Sequence, residues 1–291
     1  MDLITKTHEL SAQLDALPVP NGISHVYNPL AYMRDTHTKW LSRFVRPVND
    51  PRDNVLVETT DLQPQARQYL ILGMNPGPWG MVQTGIPFGD VPSATSILGF
   101  RDGQTIPAPN LPAGFALHPQ RPVQGFACKR IESSGDRLWT GLAGIFGYRA
   151  THAERLADVT ARCFAMNYCP LAYFTGPAGV NVTPDEIARK TVKRGPNPYY
   201  DPAYVAALDA VCMPYLRAVM AAMGTRVVLA IGRYAERKAK IAAALQPAEY
   251  RAKVVYLTHP SPLATHSSEE WSDMARETMT AAGVLPVRGA V

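Results

Sequence analysis

The segment from Tyr69 to Gly80 reads YLILGMNPGPWG, and it decides the fold class. Its first four residues, Tyr69–Leu72, are apolar without alternation, which is typical of a strand buried on both faces of a parallel sheet. A loop rich in glycine and proline follows at once and places Asn75 just beyond the strand. Because ligands bind beyond the carboxyl ends of parallel strands, the segment predicts a buried strand and one wall of a binding site.

Further strands and helices alternate along the rest of the chain. Three more apolar runs are Cys163–Asn167, Arg226–Ile231 and Lys253–Thr258. Helix starts are indicated by the capping boxes Thr183-Pro184-Asp185-Glu186 and Ser267-Ser268-Glu269-Glu270, by Asn28-Pro29 and by Asp201-Pro202. The expected helix ends are Val45 for the Asn28 helix, Gly224 for the Asp201 helix, with a kink at Pro214, and Gly283 for the last helix.

This alternation predicts a single α/β domain over residues 27–291. We expect a doubly wound, mostly parallel four-stranded sheet flanked by helices. Residues 1–26 are expected to form an N-terminal extension with a loosely packed helix.

The composition excludes several classes of protein. The chain has 291 residues, a net charge of +5 and four cysteines without a C-x-x-C pair, which argues against zinc ribbons, disulfide scaffolds and iron–sulfur clusters. Apolar runs such as Val227–Ile231 are far shorter than the ~18 residues of a membrane helix, and the N-terminus lacks a secretory apolar stretch. We expect an intracellular protein without a membrane partner, located in the cytoplasm or nucleoid of a bacterium or in a eukaryotic nucleus.

The positive charge is densest around Arg189, Lys190, Lys193 and Arg194. Arginine outnumbers lysine 21 to 8 in the whole chain, and a guanidinium group binds phosphate with two parallel hydrogen bonds. Such a surface is compatible with nucleic acid binding, and equally with an ordinary solvated face.

Polar side chains recur where the predicted strands end. Asn75 follows the first strand, Asn167 ends the second, Gly232-Arg233-Tyr234 follows the third and His259 follows the fourth. The carboxyl ends of parallel strands lie along one edge of the sheet. We therefore expect the two amides and the imidazole to gather around a single pocket.

Common catalytic motifs are absent from the sequence. Glycines 73, 77 and 80 do not have the spacing of a dinucleotide-binding loop, and no Gly-Lys pair forms a P-loop. The sequence has no G-x-S-x-G elbow, no zinc-deaminase signature and no metal-like spacing among its seven histidines. We expect neither a metal ion nor a cofactor.

The residues that remain carry a family resemblance. The segment Gly73–Gly89, GMNPGPWGMVQTGIPFG, and the segment His259–Pro262 resemble the two signature motifs of single-strand-selective monofunctional uracil-DNA glycosylases. Further matches follow in the same order and span residues 27 to 285: Tyr27–Pro29, His118–Val123, Ser134–Trp139, Asn167–Leu171 and Asn181–Pro184. The resemblance implies the α/β/α fold of uracil-DNA glycosylases and hydrolysis of an N-glycosidic bond without a lyase step.

The resemblance also implies roles for individual side chains. Asn75 would orient the attacking water, since an amide is too weak to act as a general base. His259 would donate a hydrogen bond to the uracil O2 while negative charge develops there. Asn167 would read the Watson–Crick edge, and its acceptor and donor match uracil rather than cytosine. Phe88 would stack on the everted base.

Two further positions complete the expected base pocket. Gly77 would leave room beside C5 of the base, which implies that 5-hydroxymethyluracil is accepted as well as uracil. Met81, from the same motif, is expected to bind the base.

The segment after His259 is expected to fill the gap that the everted base leaves in the duplex. Ser261, Pro262 and Leu263 would form this wedge, with Leu263 as the apolar group that unstacks a base step. The expected role of Glu269-Glu270 is at a helix N-terminus. Arg189 and Lys193 are expected to contact the DNA backbone.

These inferences predict a monomeric glycosylase that removes uracil, and related oxidised pyrimidines, from single- and double-stranded DNA. Two alternatives stay open at this point. One is a glycosylase of the same fold that prefers hypoxanthine or xanthine. The other is a protein that binds damaged DNA without cleaving it.

Overall fold

The secondary structure is taken from a computed structural model, which describes residues 3–44, 69–100, 109–111, 115–146, 159–192, 195–260 and 267–285. The strands are β1 (His25–Tyr27), β2 (Tyr69–Gly73), β3 (Cys163–Asn167), β4 (Ala172–Thr175), β5 (Val180–Val182), β6 (Thr191–Val192), β7 (Gly195–Pro196), β8 (Val227–Ile231) and β9 (Lys253–Leu257). The α-helices are α1 (Leu3–Asp15), α2 (Pro29–Tyr32), α3 (Arg34–Ser42), α4 (Met81–Thr84), α5 (Ser133–Phe146), α6 (Pro184–Ile187), α7 (Pro202–Ala222), α8 (Arg233–Ala244) and α9 (Ser268–Ala281).

A four-stranded parallel sheet in the order β3-β2-β8-β9 forms the centre of the fold. Every residue of β2, β3 and β8 is buried, as expected for unbroken apolar runs. The chain leaves β2 for β3 on one side and returns to β8 on the other, so β2 and β8 flank a topological switch point. The predicted fold class is confirmed, and the predicted strand ends are correct to within one residue.

A second sheet was not predicted. It is antiparallel, has the order β1-β4-β5, and pairs His25 with Phe174. Its strands have only three or four residues, too few for a periodic pattern to stand out.

The helix ends agree with the predicted caps in most places. The Thr183 hydroxyl accepts from the backbone N–H of Glu186, and the Ser267 hydroxyl accepts from that of Glu270, so both capping boxes are formed. The helix predicted from Asn28 onwards is instead two helices, α2 and α3, which are separated at Met33. Helix α7 runs as predicted through Pro214.

The N-terminal helix α1 is packed firmly, so the expectation of a loosely packed extension is wrong. Leu3, Leu10 and Leu14 are buried in the same hydrophobic core as the central strands. The Thr7 hydroxyl lies 2.6 Å from the Tyr215 hydroxyl of α7. These partners come from distant parts of the chain, which is why the sequence of the extension did not reveal the packing.

Helix α7 is long and apolar enough to cross a membrane by length and composition alone, with a mean hydropathy of 1.5. In this fold one side of it contributes Leu208, Cys212 and Leu216 to the core. Its exposed side is made largely of alanines (Ala203, Ala206, Ala210, Ala221 and Ala222). A helix that packs one side against a core can have the same length and hydropathy. These two properties are therefore weak support for a membrane span.

Candidate active site

Two loops are joined where β2 and β3 end. The backbone N–H of Tyr168 donates to Gly73 O at 2.9 Å, and that of Cys169 donates to Met74 O at 2.9 Å. The parallel pairing of the two strands is thereby extended beyond the sheet, where Gly73 already pairs with Asn167. The consequence is that Asn75 and Asn167 are held on the same side of the switch point.

A cavity of about 500 Å³ opens at this edge of the sheet. Asn75, Asn167 and His259 all line it, as the sequence predicts. The lining also includes Gly77, Met81 and Phe88 from the signature segment, and Trp79, Glu132, Ser134, Asn181, Asp185 and Arg233, which the sequence reasoning did not select. Two amides and an imidazole therefore line one cavity.

Phe88 is held in an unusual backbone conformation. Its φ is 55°, and among the described residues it is the one non-glycine with positive φ. The Trp139 indole donates to Phe88 O at 3.1 Å, and a Cβ at Gly135 would lie 2.3 Å from the same oxygen. Such strain costs of order 1–3 kcal/mol and persists where the surroundings enforce it, often at functional sites. Helix α5 thus fixes the ring of Phe88 at the wall of the cavity.

Gly73 lets the Asn167 amide and the Phe88 ring approach each other. A Cβ at this position would lie 2.4 Å from Asn167 Oδ1 and 2.6 Å from Phe88 Cζ. Both distances are far below van der Waals contact. Only a glycine at the end of β2 accommodates both side chains.

The two amides differ in how they are held. Asn167 is buried, and its Nδ2 donates to Met81 Sδ at 3.3 Å, which fixes the orientation of the amide. Asn75 makes a long contact of 3.4 Å from Nδ2 to Pro76 O. Its carbonyl oxygen accepts no hydrogen bond within the described ranges, so it is free to accept one from a ligand or water.

His259 follows β9 at a point that a tryptophan anchors. The Trp271 indole donates to Thr258 O at 2.9 Å, and Gly232 N donates to Leu257 O at 2.9 Å. His259 keeps accessible surface on the cavity wall, yet the protein around its ring desolvates it and lowers its pKa below the usual value. The neutral imidazole, which still carries one N–H donor, is therefore favoured near neutral pH.

Glu132 is a charged group of the cavity that the sequence reasoning missed. Its carboxylate accepts from the backbone N–H of Trp79 at 3.3 Å and from the Ser134 hydroxyl at 3.4 Å. Desolvation raises the pKa of this carboxyl above the usual value, against the lowering effect of the Trp79 hydrogen bond. Glu132 comes from the irregular stretch before α5, where no periodicity marks it.

The position of Glu132 corrects the expectation for Gly77. A Cβ at residue 77 would lie 2.0 Å from each carboxylate oxygen of Glu132. The space beside Gly77 is thus already taken by a protein carboxylate rather than left open for a substituent of the base. The glycine is required for the approach of Glu132.

The expected DNA contacts are only partly within the described structure. Arg189 is exposed and forms an ion pair with Asp185, which also pairs with Arg237. Lys193 and the wedge residues Ser261, Pro262 and Leu263 lie outside the described residues. Glu270 accepts from the backbone N–H of Ser267 at 2.6 Å, in agreement with its expected place in a helix cap.

The described residues contain no group of three or more His, Cys, Asp or Glu side chains that could hold a metal ion. All four cysteines are free and buried. The polar groups that line this cavity include amides, the His259 imidazole, hydroxyls, the carboxylates of Glu132 and Asp185 and the Arg233 guanidinium.

Comparisons with known proteins agree with this geometry. The profile of the Uracil DNA glycosylase superfamily matches residues 60–282. The chain is similar to the single-strand selective monofunctional uracil DNA glycosylases of Mus musculus (32% identity), Rattus norvegicus (31%) and Bos taurus (30%), over 96% of its own length and 82%, 83% and 85% of theirs.

A solved structure supports the fold. The crystal structure of wild-type Pedobacter heparinus SMUG2 superimposes with a TM-score of 0.56 at 17% identity, covering 97% of this chain and 99% of that one. Taken with the profile match and the curated relatives, the resemblance seen in the sequence is confirmed: the chain belongs to the uracil DNA glycosylase superfamily and, within it, to the family of single-strand-selective monofunctional uracil-DNA glycosylases.

Proposed function

We propose that this protein is a monofunctional glycosylase that hydrolyses the N-glycosidic bond of uracil in single-stranded DNA. The observation that carries the proposal is the shared cavity of Asn75, Asn167, His259 and Phe88. Family membership supports the enzyme class, and the names of the mammalian relatives support uracil and single strands. The cavity, at about 500 Å³, is in the size range of small-molecule sites.

The chemistry assigned to the site is a hydrolysis. The bond between C1′ of the sugar and N1 of uracil breaks, its electron pair leaves with the base, and the sugar gains oxocarbenium character, as in glycoside hydrolysis. Asn75 accepts a hydrogen bond from the attacking water and aims it at C1′, where the new C–O bond forms. The proton that this water loses passes to the released base or to solvent. His259 donates its N–H to O2, where the leaving base carries negative charge.

Base recognition follows from the second amide. Asn167 offers an acceptor for N3–H and a donor for O4, a pattern that cytosine reverses. A wrong base would leave buried polar groups without partners, which costs of order 1–3 kcal/mol per group. The ring of Phe88 supplies a stacking surface, worth ~1–3 kcal/mol for a base on an aromatic side chain.

We extend the proposal to 5-hydroxymethyluracil. The reason is a hydrogen bond to Glu132 rather than open space beside Gly77. Glu132 lies against Gly77 and lines the cavity, so its carboxylate can accept a hydrogen bond from a hydroxymethyl group. The methyl group of thymine has no such donor. We also propose activity on duplex DNA, where Leu263 would be the wedge that fills the gap left by the everted base.

The test is the identity of the base released from a panel of oligonucleotides. Each strand carries one uracil, 5-hydroxymethyluracil, thymine, hypoxanthine or xanthine, single-stranded and in duplex, and the free base is measured by mass spectrometry. We expect uracil from single strands to be released fastest. Preferred release of hypoxanthine or xanthine would contradict the substrate assignment.

Two variants separate cleavage from binding. Asn75→Ala should lower kcat by about a hundredfold, the order of loss expected when a reacting group is misplaced, while DNA affinity stays unchanged. Asn21→Ala, an exposed amide on a distant turn, is the matched control and should retain full activity. Binding of uracil-containing strands without base release by the wild-type protein would favour a non-catalytic binder.

A further inference from the structure

The sequence motif His118–Val123 has no role in the base pocket, yet the structure ties it to the pocket loop. The buried Gln83 donates from Nε2 to both Pro78 O and Pro122 O at 2.9 Å. Its Oε1 accepts from Gln124 N at 2.8 Å. This one side chain fixes the motif against the loop that carries Asn75.

The fixed motif places Arg121 beside the rim of the cavity. Arg121 Nε donates to Gly179 O at 2.7 Å, and its backbone carbonyl accepts from the Tyr27 hydroxyl at 2.9 Å. Its guanidinium carbon lies 5.3 Å from the centre of the Trp79 ring, and Trp79 lines the cavity. The two terminal nitrogens make no hydrogen bond within the described part of the chain, so the group is held in place with donors to spare.

A second guanidinium lies over the same indole. The guanidinium carbon of the exposed Arg130 is 4.3 Å from the centre of the Trp79 ring. In the described ranges no carboxylate lies within ion-pairing distance of Arg121 or Arg130. Burial, with repulsion from Arg130 as the second cause, lowers the pKa of Arg121, although arginine stays charged. Two like charges are thus held close to one indole ring.

Other arginines of the chain show how a guanidinium group is paired in this molecule. Arg189 and Arg237 share Asp185, and Arg233 pairs with Glu236 at 2.8 Å. Those cations are paired with carboxylates, whereas Arg121 and Arg130 have no carboxylate partner among the residues that the structure describes. An anion is the ligand that would relieve their mutual repulsion, and a guanidinium group is suited to two oxygens of one phosphate.

We propose that Arg121, Trp79 and Arg130 form a phosphate clamp that binds a backbone phosphodiester of the single strand next to the everted nucleotide. The proposal rests on the glycosylase function proposed above for its substrate. We place the phosphate next to the everted nucleotide because Trp79 belongs both to the cavity lining and to the clamp. The clamp would hold the strand while the base enters the cavity, and it should act on substrate binding rather than on bond cleavage.

The first experiment measures the salt dependence of binding to an undamaged single strand by fluorescence anisotropy. Each phosphate contact on a single strand contributes about 0.7 to the slope of log affinity against log salt concentration. Because both guanidinium groups hold the same phosphate, Arg121→Gln and Arg130→Gln should each reduce the slope by up to that amount, and Arg130→Lys should retain it. Arg226→Gln is the matched control, because Arg226 also lies over an aromatic ring, that of Tyr250 at 5.8 Å, but at the other end of the sheet. Equal slopes for all four variants would overturn the clamp.

The second experiment locates the phosphate. Uracil release is measured on strands in which one phosphate at a time is replaced by a neutral methylphosphonate. In the wild-type protein KM should rise about fivefold for a phosphate adjacent to uracil, with kcat within twofold, and the Arg121→Gln Arg130→Gln double variant should be insensitive to that replacement. A double variant that stays as sensitive as wild type would overturn the assignment. If no base is released from any strand, the proposed function fails while the salt slopes still decide the clamp.

Discussion

Two cavities of nearly equal size lie at opposite ends of the parallel sheet. The one at the carboxyl end holds about 500 Å³, and the one at the amino end, between the chain before β8 and the chain before β9, holds about 480 Å³. The amino-end cavity is lined by Met220, Ala221, Leu245, Pro247 and Tyr250 with a few polar neighbours. Volume alone therefore does not distinguish a site from a surface hollow.

The two cavities differ in the side chains that the backbone brings to them. At the carboxyl end, loops leave β2, β3, β8 and β9 in the same direction and bring polar side chains together. Asn75, Asn167 and His259 come from three of these loops and meet within one space. At the amino end the side chains include Leu245 and Tyr250, both largely exposed, and no pair of amides converges there. Convergent polar groups, rather than size, mark the functional end.

The largest effect should come from removing the imidazole. His259→Ala should lower kcat for uracil release by about 10²–10³, the loss expected for one donor to a developing anion, with DNA binding nearly unchanged. Single-turnover kinetics at saturating single-stranded substrate measures it. A loss smaller than twofold would remove His259 from the proposed chemistry.

The pH profile of the wild-type protein tests which protonation state of His259 is active. Because desolvation lowers the pKa of His259, the ring is neutral above that value and gains a proton only in acid. If the neutral donor is the active form, kcat should be level around neutral pH and fall only on acidification below the ordinary pKa of an imidazole. A rate that rises on that acidification would indicate a protonated imidazole instead.

A smaller loss is expected from Gly73→Ala. The added Cβ would meet Asn167 Oδ1 and Phe88 Cζ at 2.4 and 2.6 Å, so both groups must move. Displacement of positioned groups by about 1 Å can cost up to a hundredfold, and we expect a tenfold or greater loss of kcat/KM. The control is Gly144→Ala on α5, where the new Cβ meets the side chain of Ser272 (Oγ at 2.8 Å and Cβ at 3.7 Å) and no described residue of the cavity lining. Equal activity of the two variants would show that the Gly73 contact does not matter.

Much of the carboxyl-end site was predictable because its signals are local. Unbroken apolar runs predicted the strands, and parallel topology then implied that Asn75, Asn167 and His259 would meet at one edge. The caps at Thr183 and Ser267 were readable for the same reason, since each depends on residues three positions apart.

The features that were missed depend on contacts between distant segments. Glu132 reaches Gly77 only through the packing of α5 against the signature loop. In the second sheet β1 pairs with β4, which lies far along the chain. The positive φ of Phe88 is enforced by Trp139 and Gly135, and no residue pattern near Phe88 encodes it.

The smallest effect should come from a substitution in the amino-end cavity. It tests whether convergent polar side chains distinguish the functional cavity from the other one. Tyr250 is 57% exposed and lines that cavity. Among the described residues, the lining there lacks the two amides and the imidazole that meet at the carboxyl end. Tyr250→Ala should leave kcat and KM for uracil release unchanged, and it should alter the free energy of unfolding by no more than about 0.5 kcal/mol, the usual range for an exposed site. Steady-state kinetics and urea denaturation measure the two quantities. A tenfold fall in activity would mean that the amino end takes part in function, and that a functional cavity in this fold does not require convergent polar groups.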